Sequence, residues 1–273
     1  MGQKVNSTIF KLSLPNTEYN SKYLAKNKEE FTLFLYKDLE IKNYINRIFS
    51  IYGYVVHTLQ IEYSTTKVKI FIKIYKEQIY KKNQFVKKTS TKNLIKFLVN
   101  NYILNVLNLY LENVKLEIKV QNLNTKFKNE FLKKRSSIRK YKKTVKDLKK
   151  FVRRDKNNKN FIKSVLISVY EINSAKLLAK SIATILEKVK KKQFFFLFLL
   201  KTVIKNNLKT KYSSVKGVKV VVTGRFNKRP RARKFLIQVG QISLHSVKSK
   251  INYHSDTAFT SYGTFGVKTW ICY

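Results

Sequence analysis

The sequence predicts an α+β protein of two units, on three observations. Residues 66–75 alternate Val68, Ile70, Ile72 and Ile74 with Lys67, Lys69, Phe71 and Lys73, the period of a strand with one buried face. Leu178, Ile182, Ile185 and Val189 recur at steps of four, three and four, the period of an amphipathic helix. Between these regions, residues 126–163 are rich in lysine and arginine and poor in apolar residues, so they read as a basic insertion or linker. The expected organisation is a unit at 1–125, the insertion at 126–163 and a second unit at 164–273.

Taken in order, the first unit opens with apolar residues at three- and four-residue steps from 29 to 51, including Phe31, Phe34, Leu35, Ile41, Ile45, Ile48 and Phe49. That spacing predicts one amphipathic helix or two in series. Residues 55–62 and 66–75, joined at Ser64-Thr65, predict a β-hairpin. A helix over 94–111 and a strand over 114–120 follow. The second unit is expected to start with a short apolar strand at 164–171. A helix at 173–190, capped by Asn173 or Ser174, comes next, and a second helix spans 194–208. Strands are expected at 217–223, around 241–246 and at 266–273, in a sheet that is mostly antiparallel.

Charge and composition then limit the function. The chain has 273 residues, 58 of them Lys or Arg against 15 Asp or Glu, for a formal charge of +43. A field of that size calls for a polyanionic partner. With 44% hydrophobic residues the chain is too apolar for a disordered basic tail. One cysteine, Cys272, and three scattered histidines, His57, His245 and His254, offer no disulfide framework or metal-ligand spacing. Seven glycines form neither a phosphate loop nor a dinucleotide fingerprint. The acids are dispersed, so no paired carboxylates or nucleophile–base set is discernible; no enzyme activity, cofactor or metal is expected. The longest apolar run, FFFLFLL from Phe194 to Leu200, is far shorter than the roughly 20 residues of a membrane helix. A membrane-surface role would call for a basic amphipathic helix with little folded core, so no membrane partner is expected.

Arginine supplies only nine of the 58 basic residues, and four of them fall at Arg225, Arg229, Arg231 and Arg233. The lysine excess, with abundant Asn, Ile, Phe and Tyr, has the look of an A/T-rich genome. A local return of arginine against that bias marks a loop where a planar phosphate-binding fork is needed. Phe194, Phe195 and Phe196 are read as core and His245 as a structural histidine.

The opening MGQKV, the stretch GVKVVVTGRFNKRPRARKF at 217–235 and GQISLHSVKSKINYHSDTAFTSYGTFGVKTWI at 240–271 together resemble the S-three protein family of the small ribosomal subunit. The resemblance covers roughly the last 110 residues well and the first unit mainly by element order. It implies a type II K-homology-like domain at 1–125 and a ribosomal S-three C-terminal domain at 164–273. It also implies a structural role in the small-subunit head, with ribosomal RNA, mRNA at its entry channel and neighbouring head proteins as partners. On that basis Lys4, Arg225, Lys228, Arg229, Arg231, Arg233, Lys234 and Lys248 are expected to bind ribosomal RNA. Lys190, Lys191, Lys192, Lys201 and Lys205 are expected to face the mRNA channel.

The sequence departs from the family pattern at three places. Residues 77–91 contain no glycine, so the G-x-x-G clamp of K-homology domains is expected to be lost. The arginine pair of the second C-domain helix falls on Leu197 and Phe198. After Gly224-Arg225, family glycine and acidic positions are occupied by Lys228-Arg229-Pro230-Arg231. Lysine bias, the insertion and a start without a presequence lead to the expectation of a mitochondrially encoded protein, with a plastid location as the alternative. The rival function is an organellar intron-associated RNA-binding or maturase-like factor.

Overall fold

The computed structural model describes residues 5–10, 20–64, 66–76, 91–111, 114–124, 165, 168, 173–189, 193–208, 215–229, 231–246 and 249–273. The chain divides into two compact units, residues 18–130 and residues 131–273 with 1–17. The mixed α+β class is as the sequence predicts, and the basic stretch 126–163 lies outside the described residues.

In unit 18–130, strand β1 (Ser21–Lys22) precedes helix α2 (Lys28–Ile51), the hairpin β2 (Tyr54–Tyr63) and β3 (Lys67–Lys76), and strand β4 (Lys115–Asn122). Before β4, a helical run passes through α3 (Thr91–Leu98), a π-turn (Val99–Leu104) and α4 (Asn105–Tyr110). The sheet order is β1-β2-β3-β4, with β2 and β3 antiparallel and both outer pairs parallel. Helix α2 is one continuous helix of 24 residues, with Glu29 and Glu30 suiting the positive end of its dipole. Its Ile41, Ile45, Ile48 and Phe49 pack on Ile61, Val68, Ile70, Ile72 and Ile74 from the hairpin.

One bulge makes that packing work. The register of β2 against β3 slips between Val56 and Thr58, leaving His57 as the extra residue. Without it Leu59 and Ile61 would turn to the opposite face from Tyr54 and Val56; with it all four are buried. Edge strand β1 is fixed by polar contacts instead. Buried Asp38 of α2 accepts a hydrogen bond from the Ser21 hydroxyl at 2.7 Å and pairs with Lys42, whose ammonium also reaches Ser21.

The second unit contains α1 (Ser7–Phe10), α5 (Ala175–Lys188), α6 (Gln193–Leu208) and strands β5 (Gly217–Gly224), β6 (Arg233–Gly240), β7 (Ile251–Thr260) and β8 (Gly263–Cys272). The sheet order is β6-β5-β8-β7, antiparallel throughout. Helix α5 lies along β7 and β8, while α6 lies along β6. Ser174 caps α5 by accepting from the Leu177 amide at 3.3 Å. Small residues Ala175, Ala179 and Ala183 line α5, and the buried Thr269 hydroxyl donates to the Ala175 carbonyl at 3.0 Å. The core here is Leu178, Ile182, Leu197, Leu200 and Val203 with Val218, Val220, Val222, Phe265, Val267 and Ile271, all fully buried.

Three sequence expectations in this unit are corrected. Residues 241–246 are not a strand; they cross the other sheet face, where Ile242 and Leu244 cover Val221, Ile251, Trp270 and Cys272. Their alternation imitates a strand because every second side chain must cover that patch. Strands β6 and β7 replace what reads in the sequence as connecting segments. At 164–171, where a strand is expected, Val165 and Ser168 are helical, with the Ser168 hydroxyl donating to the Val165 carbonyl at 3.0 Å. The other residues of that stretch lie outside the described ones.

Candidate nucleic-acid interface

The arginine-rich segment begins where β5 ends and is held at three points. Gly224 lies against Phe265: a methyl group on it would come within 2.3 Å of the ring, so only glycine fits. Phe226 then inserts between Phe194 and Phe265, with ring centroids 5.2 and 5.0 Å away, and is 1% exposed. Asn227 adopts a left-handed conformation, φ 48°, which asparagine tolerates better than most residues. Its amide donates to Gln193 Oε1 at 2.9 Å and its Oδ1 accepts from the Gln193 amide at 3.2 Å. Gln193 is fully buried and its Nε2 donates to the Val189 carbonyl at 3.4 Å. This reciprocal pair ties the loop to the first residue of α6 and satisfies one of that helix's unpaired N–H groups.

The arginines radiate from this anchor. Arg225 Nε donates to the Arg229 carbonyl at 2.6 Å, and the Arg229 guanidinium sits 5.5 Å from the Phe194 ring centroid, a cation–π contact. Arg225, Arg229, Arg231 and Arg233 are all exposed, and none has a carboxylate partner among the described residues. Lys228 ends the 3₁₀ turn at Phe226–Lys228. Lys234 follows Arg233 on β6, where the two side chains point to opposite sheet faces.

Lys201 and Lys205 are exposed on α6. Lys4, Lys190, Lys191, Lys192 and Lys248 lie outside the described residues. In the chain, Lys192 directly precedes Gln193.

Sequence reasoning missed a second cationic surface, the sheet face opposite the helices. Cross-strand register places Lys219 opposite Gln238 and Trp270, Thr223 opposite Lys234, and Val221 between Leu236 and Lys268. Lys219 lies 5.6 Å from the Trp270 ring centroid. The alternation of Lys219, Val221 and Thr223 in GVKVVVT carried this signal, but only the strand pairing brings Lys234 and Lys268 beside it. His245 is exposed rather than structural.

From residue 173 to the end the only acids are Glu187 and Asp256. Glu187 accepts from the Phe259 amide at 3.2 Å, and Asp256 lies 3.5 Å from the Lys180 ammonium. Both are therefore engaged beside α5 and β7, so among the described residues the arginine loop and the exposed side of α6 carry only cations. Beside Asp256, burial lowers the pKa of His254, with Lys176 and Lys180 adding to the effect and Asp256 opposing it. Burial likewise lowers the pKa of Lys176.

A folded pKa below the unfolded value of about 6.5 means that His254 contributes stability above that pH and loses it as pH falls through the depressed value. His254→Asn should therefore flatten the decline of the unfolding midpoint between pH 7 and pH 5. Parallel declines in variant and parent chains would contradict this.

Comparison with known proteins agrees with this layout. A family model for the ribosomal protein S3 C-terminal domain matches residues 191–271, from the lysine run through the arginine loop to β8. The small ribosomal subunit protein uS3 of the Ziziphus jujuba witches'-broom phytoplasma is 32% identical over 106 residues. That alignment covers 39% of this chain and 41% of the relative's length. The uS3 of Thermotoga maritima is 33% identical over 122 residues, 43% of this chain and 55% of the relative. The uS3 of Phytoplasma mali (strain AT) is 26% identical over 271 residues, 99% of this chain and 84% of the relative. Residues 191–271 are therefore similar to the ribosomal protein S3 C-terminal domain, and the likeness to a uS3 protein extends more weakly along nearly the whole chain.

Proposed function

We propose that the chain is a structural, non-catalytic constituent of a small ribosomal subunit that binds ribosomal RNA through its C-terminal unit. The observation that carries this reading is the anchored arginine loop, beside which no acid is placed among the described residues. Phosphates are what such a surface attracts, and arginine forks grip them bidentately. Arg225, Lys228, Arg229, Arg231, Arg233 and Lys234 are the proposed ribosomal RNA contacts, with Lys4 and Lys248 as further ones. Lys219 and Lys268 extend them across the sheet face opposite the helices, beside the patch that Ile242 and Leu244 cover.

Lys190, Lys191, Lys192, Lys201 and Lys205 are proposed to face incoming mRNA, since they flank or lie on α6. Unit 18–130 is proposed to act as a type II K-homology-like domain. Its helix–hairpin–helix–strand order supports that role, and the glycine-free stretch at 77–91 argues for packing against RNA and neighbouring head proteins rather than clamping a strand. Residues 126–163 are proposed as a basic insertion that meets RNA. The lysine-rich, A/T-type composition supports synthesis and assembly in a mitochondrion.

The test is sedimentation of a native mitochondrial lysate through gradients of increasing salt, with the chain located by mass spectrometry. Co-migration with the small subunit that persists in high salt is the expected result. Recovery only in light or membrane fractions would overturn the reading.

A further inference from the structure

A helix apolar on all sides is normally buried on all sides. Helix α6, QFFFLFLLKTVIKNNL, is not. Phe196, Leu197, Leu199, Leu200, Val203 and Ile204 are buried, yet Phe195 is 52% exposed and Phe198 is 60% exposed. At about 100° per residue, Phe195, Phe198, Thr202, Lys205 and Lys201 share one arc of about 120°, with the phenylalanines towards one edge and the lysines at the other. Phe194 falls between the two lysines on the same arc and already carries the Arg229 guanidinium. The expectation that these phenylalanines are core therefore holds for Phe196 and fails for Phe195.

Apolar exposure alone does not name an occupant; the surrounding charge does. Every charged residue on this arc and in the adjoining loop is cationic, and the unit's two acids after residue 173 are occupied beside α5 and β7. An apolar protein surface brought here would have to face unpaired lysines and arginines. An unpaired RNA strand offers both complements, flat bases for aromatic rings and phosphates for cations, the combination that single-strand-binding surfaces use.

We propose that Phe195 and Phe198 are base-stacking positions for single-stranded mRNA passing along α6, with Lys201, Lys205 and Arg229 holding its phosphates. This rests on the mRNA-facing reading of α6 given above and adds a mode of contact to it. Stacking depends weakly on salt, whereas phosphate contacts fade as salt rises, so a strand held in both ways keeps part of its affinity when cations are screened.

The experiment uses intact small subunits carrying the full chain, programmed with a message containing 4-thiouridine downstream of the start codon. Irradiation should give message adducts on the peptide containing Phe195 and Phe198. The double variant Phe195→Leu/Phe198→Leu keeps helix and apolarity but removes the rings, and should reduce the adduct and message retention in high salt by about five- to tenfold. Message adducts confined to Lys201 and Lys205, unchanged in the leucine variant, would overturn stacking while leaving the mRNA-facing reading in place. Adducts only to ribosomal RNA or protein, or none at all, would overturn both.

Discussion

Changing Arg225, Arg229, Arg231 and Arg233 together to glutamine is expected to release the chain from small subunits at markedly lower salt. Each phosphate neutralised contributes roughly 0.7 to 0.9 to the slope of log affinity against log salt. Four lost contacts should therefore flatten that slope by about 3 and lower affinity by about two orders of magnitude at moderate salt. The matching lysine variant separates charge from geometry. It keeps the slope but loses the bidentate fork, so its release should fall between glutamine and parent. Phe226 anchors the loop independently of the arginines, its ring packed between Phe194 and Phe265, so the fold should survive. A salt-release profile unchanged in the glutamine variant would show that the loop does not hold RNA.

Asn227→Ala is expected to destabilise the chain through the turn that this side chain closes. It removes the Oδ1 that accepts the Gln193 amide, a helix-end contact of the kind worth about 1 kcal/mol. It also forces alanine into φ 48°, at roughly another 1–2 kcal/mol. Asn227→Gly loses only the first contribution, because glycine adopts positive φ freely. Unfolding of the full chain in urea should thus show a loss of about 2–3 kcal/mol for alanine and about half that for glycine. Equal losses would mean that the left-handed conformation is not what asparagine supplies there.

Much of the fold was legible because its signals are local. The alternation over β3, the three-to-four spacing of α5 and the Ser174 cap each specify an element within a dozen residues, and each is present. The bulge at His57 was not legible, since it is defined by the partner strand rather than by its own neighbours. Strand β6 was hidden because Arg233 and Lys234 open it with the charge of the preceding loop, although Phe235, Ile237 and Val239 alternate behind them.

The candidate site shows the same division. Excess arginine at 225–233 against a lysine background points to the loop from sequence alone. Its anchoring is long-range: Gln193 and Asn227 are 34 positions apart, and nothing in either segment announces the other. The exposure of Phe195 and Phe198 was masked by their apolar neighbours, because a continuous run such as FFFLFLL has no visible period from which to read an outer face. On the sheet face opposite the helices, Lys219, Lys234 and Lys268 come together only through the β6-β5-β8 pairing.

In a small ribosomal subunit, RNA should cover the arginine loop, the exposed side of α6 and the cationic part of the sheet face opposite the helices. Amine labelling of purified subunits, before and after ribonuclease digestion, tests this most directly. Lys201, Lys205, Lys234 and Lys268 should be protected in the intact subunit and become reactive once RNA is removed. Lys180, paired with Asp256, should change least. Equal reactivity of the four lysines before and after digestion would mean that RNA does not cover these surfaces.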